Sequence, residues 1–268
     1  MRLIFLVIFP LFLMANERII ALAPSISEII FALGKGDELV GVSEYASYPP
    51  EVKKITKVGG YSNPSLEKIF ALNPSLVIGQ VHYSQTLRQL NKLGIKTLTV
   101  ELSTLEHIKT SIKKIASALD TEPSNLLEPI DMALAKAKKH KENGQKVLIV
   151  YGLSLDMHRG FYIAGHNIFY EDIIHACGAK NAYEGSLLSQ PVLHYEGLIQ
   201  ANPDKVILLY HSATDGEVDF QKAKELWYNI PINAGKNKEI YIMNKTYLSI
   251  PSHRVAQTIN DICEVISL

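Results

Sequence analysis

The sequence predicts an α/β fold built as two similar lobes joined by one long, rigid helix, and three observations carry that expectation. Short apolar, β-rich runs alternate with segments whose apolar residues recur at helical spacing, the pattern of central sheets flanked by helices. The alternation starts again near residue 145, after a long helical segment. Two stretches of the first series also align without gaps on two stretches of the second, in the same order.

The chain opens with Met1-Arg2 and an apolar run to Ala15, ended abruptly by Asn16-Glu17-Arg18. Thirteen apolar-type residues broken by Pro10 reach only about 20 Å as a helix, against a ~30 Å hydrocarbon core. Residues 1–15 therefore read as a secretory signal cut after Ala15. No Cys stands there to carry a lipid, so a free periplasmic protein of a double-membrane bacterium is expected.

Residues 16–120 form the expected first lobe, with strands at 18–23, 76–78 and 96–99 and helices at 27–33, 85–93 and 104–119. The last helix is the clearest. Leu105, Ile108, Ile112, Ile115 and Leu119 share one face, and Ser103 with Glu106 supplies a capping box. The bridging helix is expected over 121–144. Leu127, Ile130, Leu134 and Ala137 make one stripe, Lys138, Lys139 and Lys141 complement the C-terminal dipole, and Gly144 ends it. At about 30 Å such a helix limits how far the lobes swing. Residues 145–268 repeat the series, with strands at 146–150, 205–209 and 239–243 and helices at 168–177 and 253–267.

The internal match is specific. Glu67, Asn73-Pro74 and Val77-Ile78 fall at the same offsets as Glu196, Asn202-Pro203 and Val206-Ile207, and the stretch Glu28 to Gly34 matches Asp172 to Gly178. Matched acids are the least expected part, because packing does not require them. On sequence alone Glu67 and Glu196 are equally well read as ordinary N-terminal helix acids or as a repeated contact surface.

Composition excludes several classes. Lys+Arg and Asp+Glu both number 27, and the chain is 47% hydrophobic and 20% charged, which is ordinary for a packed protein and leaves no footprint for a polyanion. Of the nine His, the closest pair is His158 and His166, so no HxxxH or HExxH spacing places two metal ligands on one helix face. Ser154, in Gly152-Leu-Ser-Leu, lacks the second Gly of a nucleophile elbow, and Gly34-Lys-Gly36 falls short of a phosphate loop. No metal site, resident cofactor or catalytic residue is expected, and the chain reads as no enzyme. An exported α/β enzyme with a dispersed site is the alternative from another class. Polar and aromatic residues do gather after the strands: Gln80, His82 and Tyr83, then Tyr151, His211 and Tyr247, joined by the loop residues Tyr45 and Tyr61. In open α/β sheets ligands sit outside the carboxyl ends of strands, so these side chains predict an interlobe cleft for a flat, partly apolar ligand.

The residues Arg18 to Ser25, Glu28 to Gly34, Val40 to Pro50, Val58 to Glu67 and Leu93 to Lys96 together resemble the periplasmic binding proteins that feed ABC importers of vitamin B12, haem and ferric siderophores. The resemblance covers essentially the whole mature chain. It implies two lobes bridged by a long helix, limited hinge motion, an inner-membrane permease dimer with its ATPase as partner, and a monomeric binding protein. Within that group the chain is most similar to the vitamin B12-binding branch, which makes cobalamin or a related corrinoid the first expected ligand and haem or a ferric chelate the alternative. Tyr45 and Tyr61 fall where that branch places cleft rings. Gln190 and Ile250 stand where it has a Trp and an Arg. The resemblance also implies a Cys177–Cys263 disulfide, in keeping with an exported chain, and permease docking through Glu67 and Glu196.

Overall fold

The structure is a computed structural model and describes residues 17–60, 63–153, 159–210 and 218–268. The signal segment 1–15 lies outside these residues, as do Tyr61 and His211. No helix among the described residues is long and apolar enough to cross a membrane.

The first sheet contains β1 (Ile19–Ala21), β2 (Leu39–Val42), β3 (Thr56–Lys57), β4 (Leu76–Gln80) and β5 (Lys96–Val100), in the order β3-β2-β1-β4-β5, all parallel. The second contains β6 (Lys146–Tyr151), β8 (Lys180–Asn181), β10 (Lys205–Leu209) and β11 (Ile240–Met243), in the order β11-β10-β6-β8, again parallel. Placing β1, β2, β4 and β5 over β6, β8, β10 and β11 makes the two orders identical, so the repeat read in the sequence is a repeat of topology. A two-stranded antiparallel ribbon, β7 (Phe161–Tyr162) with β9 (Val192–Leu193), is an addition of the second lobe.

Helices cover both faces of these sheets: α1 (Pro24–Ala32), α2 (Leu66–Ala71), α3 (Ser84–Lys92) and α4 (Leu105–Ala118) go with the first, and α6 (Phe169–Ala176), α7 (Tyr195–Ala201), α8 (Phe220–Tyr228), α9 (Asn233–Lys236) and α10 (Val255–Ser267) with the second. Parallel strands covered on both faces are apolar on both. Ile19 and Ala21 of β1, with Val147 and Ile149 of β6, join one core that runs through both lobes, whereas Ile20 and Leu148 face separate clusters on the far sides of their sheets.

The matched turns have matched geometry. Asn73 and Asn202 adopt φ of 42° and 41° before their prolines, and Gly34 and Gly178 adopt 78° and 79° after their helices. Asn and Gly are the residues that tolerate the left-handed region, which explains why these types recur at these offsets.

Two expectations are corrected. The helix between the lobes, α5 (Ser124–Ala137), has 14 residues, about 21 Å at 1.5 Å per residue, rather than spanning 121–144. It stops because the following segment pairs with the approach to β8: Asn143 N–H donates to the Gly178 carbonyl, and Lys180 N–H to that of Gln145. Leu126, Ile130, Ala133 and Ala137 bury one face, against α10. The cap of α4 is Thr104, whose hydroxyl accepts the His107 N–H at 3.2 Å, one residue beyond the expected Ser103. The disulfide Cys177–Cys263 is present, with Cα atoms 5.3 Å apart, and it ties the end of α6 to α10.

The lobes touch through acids at equivalent places. Glu28 of α1 accepts from the Ser252 hydroxyl at 2.6 Å and from Arg254 Nε at 3.0 Å, and a second Arg254 nitrogen completes a buried, two-pronged ion pair. Asp172 of α6 accepts the Leu105 N–H at 2.8 Å, capping α4 from the other lobe. The Tyr48 ring covers the Glu28–Arg254 pair, its centre 4.0 Å from the Arg254 guanidinium carbon.

Candidate functional site

A cleft of about 650 Å³ opens between the lobes. From the first lobe it is lined by residues that follow strands: Ser43 and Tyr45 beyond β2, Gln80 and His82 at and after β4, and Glu101 and Ser103 beyond β5. From the second lobe come Tyr151 at the end of β6, Phe169 and Tyr170 at the start of α6, and the loop residues Ser189 and Gln190. Parallel strands direct their carboxyl ends, and hence the residues just beyond them, to one edge of each sheet, and the two edges face each other across the cleft.

The second-lobe wall is aromatic. The rings of Tyr151 and Tyr170 meet edge to face at 5.7 Å, and those of Phe169 and Tyr170 lie 4.0 Å apart. Burial pushes both phenols well above the usual tyrosine range, and the Gln190 side chain partly opposes this at Tyr151. Both therefore stay neutral. The Tyr170 hydroxyl donates to the Leu248 carbonyl at 2.5 Å, which fixes that ring. On the opposite side Tyr45 is 67% exposed, a ring with surface to offer.

Polar groups complete the lining. Desolvation lowers the pKa of His82, so its imidazole is neutral at pH 7. Glu101 accepts from the Ser103 hydroxyl at 3.0 Å, and its carboxylate stands 3.3 Å from His107 Nδ1, itself 2.7 Å from Ser103 Oγ. Serine and glutamate thus meet the same ring nitrogen. A relay needs the base between nucleophile and acid, one on each nitrogen, so this is a hydrogen-bonded cluster rather than a catalytic triad. Among the described lining residues Glu101 is the one formal charge, with no Lys or Arg.

Tyr45 and Tyr151 stand in the cleft as expected, and so do Gln80 and His82. Tyr83 does not. The 3-10 turn 81–83 presents His82 to the cleft and turns Tyr83, 3% exposed, into the core beneath β4. Tyr247 is also absent from the lining, because its hydroxyl donates to Asp261 of α10 and holds the ring on that helix. Gln190 and Ile250 line the cleft where the resemblance has a Trp and an Arg. Glu67 and Glu196 both sit in the first turns of their helices with exposed side chains.

The profile of periplasmic binding proteins matches residues 19–247. The chain is 29% identical over 258 residues to the vitamin B12-binding protein of Vibrio parahaemolyticus, covering 94% of this chain and 90% of that protein. In structure it is similar to the periplasmic heme-binding protein RhuT of Roseiflexus sp. RS-1, with a TM-score of 0.76, 28% identity, and coverage of 93% of this chain and 97% of that one. It is similar in fold to the periplasmic heme-binding protein HutB of Vibrio cholerae, with a TM-score of 0.78, 24% identity, and coverage of 95% and 100%. A match that runs from the first strand past the last one, over two lobes with the expected cleft between them, means that this chain belongs to the periplasmic binding protein family, whose members bind solutes rather than transform them.

Proposed function

We propose that the chain captures a corrinoid of the cobalamin class in the periplasm and delivers it to an inner-membrane ABC permease with its ATPase. The residue division behind this reading is a lobe at 16–120, a connection at 121–144 and a lobe at 145–268, with export directed by residues 1–15. The carrying observation is the chemistry of the cleft: an aromatic wall, hydroxyls and the amides of Gln80 and Gln190, one carboxylate and no cation among the described lining residues. A corrin ring is flat and apolar on its faces and carries carboxamides around its edge, which pair with such groups without needing a positive charge. Tyr45 and Tyr151 would meet the ring faces, with Tyr61 and His211 as further ligand-binding residues from outside the described segments.

Haem is the second reading, supported by the names of the two structural relatives and by Tyr45 and His82, both able to ligate iron. Its two propionates, however, would meet Glu101. The test is to incubate purified protein with cobalamin and separately with haemin and to pass each through gel filtration. Retention of cobalamin with passage of haemin free is expected, and the reverse sinks the corrinoid reading. Removing a stacking ring by Tyr45→Ala or Tyr61→Ala should weaken cobalamin by about 5- to 30-fold, equivalent to about 1–2 kcal/mol.

Docking is assigned to Glu67 and Glu196. Reversing both to Arg should leave ligand titrations unchanged and impair uptake, because like charges would meet at a basic permease surface.

A further inference from the structure

The helices that carry the two matched glutamates share more than an acid. Each is held down by one buried side chain, Ile69 in α2 and Leu198 in α7, and these too are equivalent in the internal alignment. Around that anchor the exposed residues also repeat, with Leu66, Glu67 and Phe70 on α2 standing where Tyr195, Glu196 and Ile199 stand on α7. The four apolar members are exposed by 37%, 61%, 36% and 37% in that order of naming. Helical residues three and four apart are neighbours, so each helix presents one triangle made of two apolar side chains and a carboxylate. A single exposed leucine needs no explanation. Two copies of one triangle at equivalent places, on helices that bury a single side chain each, do.

We propose that the two triangles are equivalent docking knobs, in which Leu66 with Phe70 and Tyr195 with Ile199 enter apolar sockets beside basic side chains, one socket on each subunit of a two-fold-symmetric permease. The proposal rests on the docking role given above to Glu67 and Glu196 and adds the source of affinity. Exposed carboxylates steer and set register but are screened by salt, whereas apolar surface removed from water binds without such screening. A partner of two identical subunits offers its chemistry twice, and a single chain can answer only by carrying the complementary surface twice. The duplicated fold supplies that, and the acid in each triangle states the charge its socket must have.

The test uses the full mature chain, free of ligand, binding to its permease–ATPase in lipid nanodiscs at about 0.05 M and about 0.5 M salt, where the screening length falls roughly threefold. The variant carrying Leu66→Gln, Phe70→Gln, Tyr195→Gln and Ile199→Gln should lose about 100-fold in affinity at both salts, and each lobe's pair alone about tenfold, the scale of a disrupted interface hot spot. The Glu67→Arg, Glu196→Arg variant should lose most at low salt. Near-normal binding of the apolar variants beside failure of the charge variant would remove the sockets and leave the docking glutamates standing. Near-normal binding of both sets removes the docking reading itself. Sedimentation of the wild type as a dimer that the apolar variant dissociates would assign the triangles to a second copy of this chain and overturn the proposal. An unshifted thermal midpoint establishes that each variant is folded, and the lobe-wise pairs serve if the fourfold variant is not.

Discussion

Glu28 and Asp172 occupy the same place in the two lobes, and each reaches the opposite lobe at the start of a helix, yet the two contacts differ in kind. Glu28 is 3% exposed and holds a guanidinium and a hydroxyl. Asp172 is partly exposed and holds one backbone N–H. Duplication placed an acid at both crossings, while burial decided what each acid can do. A buried ion pair is weak evidence of net stabilisation, but removing one partner strands a charge in the core. A helix cap shared with solvent has no such consequence.

The comparison is broken most severely at Arg254. Arg254→Met should destabilise the chain by about 3–5 kcal/mol in urea unfolding, because Glu28 is left buried and unpaired. Adding Glu28→Gln should restore a large part of that loss. Equal stability of the single and double variants would place the effect in packing under Tyr48 instead. Next comes the disulfide, which has no counterpart in the first lobe. Cys177→Ser with Cys263→Ser should cost about 2–4 kcal/mol, and hydrogen exchange should show the loss of protection concentrated in α6 and α10. Uniform loss across both sheets would mean that the lobes unfold as one unit.

The third effect depends on pH. Burial, with the Arg254 charge second, lowers the His253 pKa to about 4, and its Nδ1 is buried without a hydrogen-bond partner. The unfolded chain takes up a proton near pH 6.5 and the folded chain only near 4, so stability is lost as pH falls through that window. His253→Gln should flatten the midpoint profile between pH 6.5 and 4. An unchanged profile would assign the acid sensitivity elsewhere. The smallest effect is at Asp172, whose pKa is raised by desolvation although the Leu105 N–H opposes it. A raised carboxyl pKa makes the ionised form the unfavourable one in the fold. Asp172→Asn keeps an acceptor for Leu105, so it should be neutral or slightly stabilising at pH 7. That advantage should fade as the pH falls through the raised folded-state pKa toward the unfolded value near about 4, below which the wild-type carboxyl is protonated in both states. Clear destabilisation at pH 7 would make the two crossings more alike than burial implies.

Much of the fold was legible because its signals are local. Strand runs, the Asn-Pro turns and the glycines after helices each state a backbone requirement within a few residues, and their repetition at fixed offsets exposed the duplication. Helix ends were less so. Only the pairing of residues 143–145 with the approach to β8 explains why α5 stops at Ala137. The cleft was legible where a residue directly follows a predicted strand, as with Tyr151, whereas Tyr45 was legible as a loop residue that falls in a family pattern. It failed at Tyr83, since one tight turn decides which of two adjacent rings faces outward. Gln190 appeared only as a departure from a family pattern, and Ser189 arrives on a loop with no strand signal. Arg254 lies 226 positions from Glu28, beyond any spacing rule. One sign of that pair was present all the same, a carboxylate among Ile26, Ile29 and Ile30 on a face that had to be buried.

The two crossings also define a line. A rigid body held at two separated points keeps a single rotation, the one about the axis through them. Lobe motion that preserves both the Glu28–Arg254 and the Asp172–Leu105 contacts is therefore a turn about that axis, with neither slide nor twist. The Cys177–Cys263 bond joins α6, which bears Asp172, to α10, which begins beside Arg254, so the second-lobe ends of both pivots belong to one cross-linked frame. An opening of the cleft that keeps both contacts is thereby reduced to one angle.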